Sequence, residues 1–365
     1  MRMSAVAGII FTNVHDEMME QLTEFRSMAS IPFGARYRLI DFPLSNLINA
    51  GVYNVGLVIK EKYRSLMDHV GSGIYWDLDR KNGGLHLMPP YNTRSARRYS
   101  SYIEALYGAI DFVERCNAEY IVTYSAGVVA NVNLSGAIES HVKNNADITV
   151  LYHKKPGLSE ISVGLSMDDS NRVTEVFSDN DQSTLGIMIF KRDVLLKLVR
   201  QAYQNDSTDI SPKDVAGIVE KMRVFAFCHE GYAAIMHSKE SFYEANMRLL
   251  DADIRHDLFC KDRPILTKTR DDMPTRFGTD SVVKNAFIAD GCVIEGTVRN
   301  SVLFRGVKVE KGAVVDHSIL MQGAEVKAQA VVDHVVSDKN AVIGENMILK
   351  GTEQKALMIG KKQTL

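Results

Sequence analysis

Two groups of arginines are the residues in this chain best suited to hold an anion. Arg36 and Arg38 stand in GARYR, and Arg94, Arg97 and Arg98 crowd into NTRSARRYS. A guanidinium presents a planar fork of donors that matches phosphate or carboxylate. The chemistry on offer is contact with a phosphorylated small molecule or with a partner's acidic surface. The other reading is a solvated basic loop, with Arg36 in a structural ion pair. Asp41, in LIDF, suits a structural hydrogen-bond acceptor better than a catalytic base. A third stretch is notable for what it lacks. SAVAGIIFTNVHDEM, residues 4–18, begins like a nucleotide-binding strand, yet Gly8 is its one glycine. Phosphate loops bring backbone N–H groups onto the ligand and usually take several.

These residues need a scaffold, and two different periods run along the chain. Up to about residue 255, strand-like and helix-like runs alternate. NVGLVI and AEYIVTYSAG read as buried strands. SSYIEALYGAIDFVER, residues 100–115, puts Ile103, Leu106, Tyr107, Ile110 and Val113 on one helical stripe. HDEMMEQLTEFRSMAS spaces Met18, Leu22 and Phe25 as a docking helix would. Such alternation predicts βαβ units around a parallel or mixed sheet covered on both faces. After about residue 280, an aliphatic residue recurs roughly every six positions, as in VEKGAV, VDHSIL and MQGAEV. That period is the mark of a β-helix, in which three short strands make one coil. The domains are therefore 1–255, a connector over 256–280, and 281–365. The connector carries Leu258, Phe259, Ile265, Leu266 and Phe277 to dock it.

The bulk composition excludes several classes. The chain has 365 residues, is 45% hydrophobic and carries a formal net charge of −2. No global basic field draws it to nucleic acid or to a membrane surface. No apolar run reaches the roughly 18 residues of a membrane span, and no signal-peptide pattern opens it. Its four cysteines are far apart, which fits reduced thiols in a cytoplasmic protein.

The segment IPFGARYRLIDFPLSNLINAGV, residues 31–52, resembles a long block of the ADP-glucose pyrophosphorylases, F-G-G-x-[YF]-R-[IL]-I-D-F-x-L-S-N-x-x-N-[AS]-G. These are the glucose-1-phosphate adenylyltransferases of glycogen and starch synthesis. NAEYIV and YEANMRLLDAD are similar to further blocks of the family. The resemblance implies a doubly wound, mixed-sheet, Rossmann-like nucleotidyltransferase domain followed by a left-handed parallel β-helix. It also implies a reaction, the joining of ATP and glucose-1-phosphate with Mg²⁺, that depends on positioning and charge neutralisation.

Set against that pattern, the working residues are missing. The family's glycine-rich loop falls on Gly8, Ile9, Ile10 and Phe11, and its first lysine on or beside Met28. Its two metal-binding carboxylates fall on Gly127 and Ile235, and its sugar-phosphate lysine on Asp179. The resemblance is thus to the regulatory, non-catalytic (GlgD-type) subunit, with no catalytic residue and no cofactor in this chain. It implies a catalytic subunit as partner, a hetero-oligomer such as a tetramer, and a phosphorylated effector bound near Arg36 and Arg38 or Arg94, Arg97 and Arg98. A weakly active adenylyltransferase and a homo-oligomeric metabolite sensor are the alternatives. A β-helix acyltransferase using His317 or His334 as base is disfavoured by the large N-terminal domain.

Overall fold

The computed structural model describes residues 5–13, 16–89, 102–155, 158, 164–177, 182–204, 219 and 221–365. Seven strands form the first domain's main sheet: β1 (Val6–Phe11), β2 (Asn54–Val58), β3 (Gly84–Met88), β4 (Tyr120–Ser125), β5 (Ile148–His153), β6 (Ser183–Lys191) and β7 (Val224–His229). Their spatial order is β7-β5-β6-β4-β1-β2-β3. All neighbours run parallel except β6, which is antiparallel to both β4 and β5. The sheet is mixed, as the alternation predicts.

Alternate residues of β1 enter opposite cores, because strand side chains alternate with period two. Val6 and Ile10 pack with Leu44 and Leu47 of helix α1 (Asp41–Asn49) and with Leu134 and Ile138 of α2 (Leu134–Lys143). Ala7, Ile9 and Phe11 pack with Val113 and with Leu195 and Val199 of α3 (Arg192–Gln204). Gly8 lies inside the strand, not in a loop. A Cβ there would sit 2.7 Å from Leu47 Cδ1, so this glycine lets α1 lie close on the sheet.

Two helical expectations change. The 100–115 stripe is two helices, Tyr102–Gly108 and Ile110–Arg115, broken at Ala109. The run Asp16–Thr23 is made of 3₁₀ turns interrupted at Glu20 (φ 44°), so α-helical spacing does not apply to it. Met19, Leu22 and Thr23 are its buried residues, while Met18 and Phe25 face solvent.

The second domain is a coil of parallel strands, and its rung is 17 residues long through most of its length. Ile294, Val309, Val326 and Ile343 follow one another along one column, at steps of 15, 17 and 17. The six-residue period is therefore approximate, because one corner per rung is tighter. The corners recur as columns of positive φ: Gly291, Gly306, Gly323 and Asn340; Gly312, Gln329 and Asn346; Asn285, Asn300, His317 and His334. Ile294, Val298, Leu303, Val309, Val315, Leu320, Val326 and Val332 fill the interior. The first rung, Arg276–Phe277, pairs with Val293–Ile294, and Phe277 is exposed rather than docked.

Between domains the chain is held tightly. Leu258 and Ile265 are buried, and Asn131 Nδ2 donates to the carbonyls of Leu258 (2.9 Å) and Arg263 (2.8 Å). A third core joins Met19, Leu22, Met28, Phe33 and Phe242 to Val302, Phe304, Ile319, Met321 and Val336 of the coil. Across it Arg26 Nη2 reaches both carboxylate oxygens of Asp338 at 2.8 Å, with both side chains almost fully buried. Among the described residues no helix is long and apolar enough to cross a membrane.

Breaking the buried pair leaves one charge uncompensated, so Arg26→Ala should cost about 3–5 kcal/mol in denaturant unfolding. The apolar double variant Arg26→Met with Asp338→Leu should recover most of that loss. A second prediction concerns pH. His141 donates to or accepts from Thr149 Oγ1 at 2.8 Å, and burial pulls its pKa down to about 4. Its folded pKa lies below its unfolded value, so its stabilisation is complete above about pH 6.5. It is lost progressively as pH falls from there towards 4. Unfolding midpoints measured over that range should fall less steeply in His141→Gln than in the parent chain.

Candidate functional site

In an open α/β sheet, ligands bind outside the carboxyl ends of the parallel strands. Here the chain itself occupies that edge at β1. Ala29 N donates to Thr12 O (3.2 Å), Ala126 N to Phe11 O (3.0 Å), and Thr12 Oγ1 to Val58 O (2.8 Å). Asn13 Oδ1 accepts from Lys60 N (3.1 Å), and Asp16 Oδ1 from Met28 N (2.8 Å). Burial raises the Asp16 carboxyl above its ordinary range. Thr12, Asn13 and Asp16 thus tie that edge to Val58, Lys60 and Met28.

Three of the positions singled out from sequence, Met28, Gly127 and Ile235, converge here. Met28 packs its sulfur against Gly127, so closely that a Cβ at Gly127 would lie 2.9 Å from it and 3.2 Å from Met236 O. Met236 N donates to Gly127 O (2.8 Å). Ile235 pairs with Val128 on the short ladder Ala233–Ile235 with Val128–Ala130, and both are buried. Ile9 packs apart from them, in the core with Val113, Leu195 and Val199. A hard divalent cation asks for oxygen ligands, carboxylates foremost. Glycine, isoleucine and two methionines supply none, so these positions do not fit the Mg²⁺ that the family resemblance implies. Asp179 lies outside the described residues, as do Arg94, Arg97 and Arg98.

Arg36 and Arg38 meet elsewhere, in a small cleft, partly open to solvent, at the junction of the domains. Pro32, Tyr37, His69, Lys268, Arg270, Arg305 and Gln322 complete its lining. Arg38 is fixed by its Nη1 on Ser65 O (2.6 Å), and burial pulls its pKa down to about 10. Asp41 is fully buried and holds the floor: Oδ2 accepts from Arg38 N (2.9 Å) and Oδ1 faces His69 Nε2 (2.6 Å). Burial outweighs Asp41 and keeps His69 below its ordinary pKa, hence neutral at pH 7.

Five cationic side chains therefore face this pocket. Arg305 is the most constrained. Its side chain is 7% exposed, and Nη2 has no hydrogen-bond partner. Nε lies 3.4 Å from Asp272 Oδ2 without hydrogen-bonding geometry. Burial first, then Arg36, pull its pKa down. Close by, Lys339 is drawn down to about 7 by burial and by Arg38 and Arg26. A buried guanidinium with two nitrogens unbonded and one loose carboxylate neighbour, among like charges, is an arrangement that an anion would complete.

Sequence reading located Arg36 and Arg38 and missed His69, Lys268, Arg270, Arg305 and Gln322. Those five come from four stretches distant in sequence. One signal was present: Arg305 and Gln322 are one 17-residue rung apart, on the column where Gly323 N donates to Arg305 O (3.0 Å).

Comparison with known proteins agrees with both domains. Residues 18–251 match the nucleotidyl transferase family, and residues 273–356 match a GlmU-like C-terminal hexapeptide region. The glycogen biosynthesis protein GlgD of Bacillus subtilis (strain 168) is 34% identical over 97% of this chain and 95% of its own length. GlgD of Geobacillus stearothermophilus is 35% identical over 84% of this chain and 82% of its own. A glucose-1-phosphate adenylyltransferase of Clostridium botulinum (strain Alaska E43 / Type E3) is 32% identical over 85% and 83%. With a Rossmann-like mixed sheet, a parallel coil behind it and this similarity along nearly its whole length, the chain belongs to the nucleotidyl transferase family, in the ADP-glucose pyrophosphorylase group that contains the GlgD proteins.

Proposed function

We propose that this chain is a non-catalytic, regulatory member of the ADP-glucose pyrophosphorylase group, acting in glycogen biosynthesis in the cytoplasm. It assembles with a catalytic glucose-1-phosphate adenylyltransferase, as a hetero-oligomer such as a tetramer, and changes that enzyme's activity or effector response. The observation that carries this reading is the packing of the Met28 sulfur on Gly127, whose carbonyl is taken by the Met236 N–H. It replaces charge where phosphoryl transfer needs charge to be neutralised. The cationic pocket at the domain junction takes the phosphorylated effector. The similarity to two GlgD proteins and to glucose-1-phosphate adenylyltransferases supports the pathway.

The purified chain, given Mg²⁺, ATP and glucose-1-phosphate, should form no ADP-glucose. Mixed with an intact adenylyltransferase from the same cell, it should alter that enzyme's rate or effector response. Robust turnover by the chain alone ends the non-catalytic reading, and unchanged kinetics on mixing ends the regulatory one. For the pocket, Arg305→Ala should weaken binding of inorganic phosphate or a sugar phosphate by about 10–100-fold, the scale of one charged hydrogen bond. It should leave the thermal midpoint unchanged or raise it, because a repelled cation is gone. A fallen midpoint with phosphate binding intact makes Arg305 structural and ends the effector reading.

A further inference from the structure

The coil carries a second cluster, unrelated to the pocket or the filled edge. The sequence V-V-D-H occurs twice, at residues 314–317 and 331–334, one rung apart. The ladder pairs Val314 with Val331 and Asp316 with Asp333. Both histidines follow at corners of positive φ, 41° at His317 and 53° at His334. Their rings stack with centroids 4.8 Å apart and planes within 7°. That separation is simply the distance between neighbouring strands. The register alone therefore brings two imidazoles side by side.

The corner does not need this chemistry. On the two preceding rungs the same column holds Asn285 and Asn300, which meet the backbone requirement equally well. The two aspartates, moreover, are used differently. Asp316 Oδ1 is engaged by Asn300 Nδ2 (3.1 Å), His317 N (3.0 Å) and His317 Nδ1 (2.9 Å). It closes the turn and orients the ring. Asp333 Oδ1 faces only the Nδ1 of His334, at 2.7 Å, while His334 N donates to the Asp316 carbonyl instead. One Asp333 oxygen on Nδ1 holds the proton there and leaves Nε2 as a lone-pair donor, the arrangement common behind metal-bound histidines, while the carboxylate's other oxygen is left to reach an ion.

One ligand atom from each of His317, Asp333 and His334 lies within 4.8 Å of the other two. With metal–ligand bonds of about 2.0–2.2 Å, the atoms need draw together by only about 1 Å to share one ion. His317 is 43% exposed and His334 22%, so an ion has a way in and the rings have room to turn. Behind them stands Tyr243 of α4 (Lys239–Arg248), whose hydroxyl donates to His317 O at 2.6 Å. The cluster thus sits where the first domain rests on the coil.

We propose that His317, His334 and Asp333 form a binding site for a divalent transition-metal ion of the zinc class, with at least one coordination position left open. Two imidazoles and one carboxylate favour a borderline ion such as Zn²⁺ or Co²⁺ over Mg²⁺ or Ca²⁺. The ion would link two successive rungs beside the domain joint.

Zn²⁺ and Co²⁺ titrated into the full chain test this. One equivalent should bind, Co²⁺ should show the absorption of a low-coordinate site, and the thermal midpoint should rise with free Zn²⁺ as linkage requires. His317→Asn and His334→Asn keep a residue that the column already uses at this corner, so both should fold with the parent's circular dichroism. Each should weaken Zn²⁺ binding by at least about 10-fold, the least that loss of even a partner behind a metal ligand costs. Each should also shrink the rise in midpoint at a given free Zn²⁺ concentration. Asp333→Asn should weaken binding and change the Co²⁺ spectrum. The proposal falls if the parent chain binds neither ion, or if stoichiometric binding survives in the His317→Asn, His334→Asn double variant.

Discussion

Arg26 ties the molecule together. Its guanidinium reaches across the domain joint to both oxygens of Asp338, in a place where neither charge meets water. The same short stretch then turns to the sheet. Two residues on, Met28 fills the space beside Gly127, and Ala29 binds the backbone at the end of β1. Closing the sheet edge and fixing the coil are therefore one event in the chain. A buried ion pair is poor in net stability but specific in geometry, since displacing either partner leaves a buried charge. It fixes the register of a joint that apolar packing alone, between Phe304 or Met321 and Phe33 or Phe242, could satisfy in several ways.

The joint also explains why the cationic pocket exists where it does. Arg36 and Arg38 come from the strand turn before α1, Lys268 and Arg270 from the connector, and Arg305 and Gln322 from one corner of the coil. No single element could assemble that many like charges, because they repel at short range. The fold forces them together by spending packing elsewhere: Asp41 anchors Arg38 and His69 from below, and Asn131 clamps the connector. Such a cluster is electrostatically unfavourable on its own, and it draws its residues from both domains.

Much of this was legible in the sequence, and the failures have physical causes. Alternating apolar runs report burial on both faces, so the mixed sheet followed directly. The recurrence of aliphatics reported the coil, but a period of six cannot distinguish 18 residues per rung from 17. The missing residue lies in a corner, and corners such as Asn300 and His317 carry no apolar signal. Met18 and Phe25 misled because helical spacing was assumed for a stretch that Glu20 interrupts with a positive φ. Gly8 looked like the remnant of a loop because a glycine's role depends on what approaches it, here Leu47. The pocket was half hidden for the same kind of reason: His69, Lys268 and Arg305 have no pattern along the chain and meet only through the joint.

The 17-residue rung has one further consequence. A coil converts a fixed sequence interval into contact, so each corner column becomes a place where identical chemistry accumulates. The column of Gly306, Gly323 and Asn340 keeps small or turn-forming residues, and Arg305 and Gln322 ride just ahead of it towards the pocket. The column of Asn300, His317 and His334 gathers imidazoles and carboxylates instead. Anion-facing and cation-facing groups thereby occupy different corners of one rigid stack, each next to an element of the first domain. The coil offers such charged surfaces because it can change corner chemistry without disturbing its aliphatic interior.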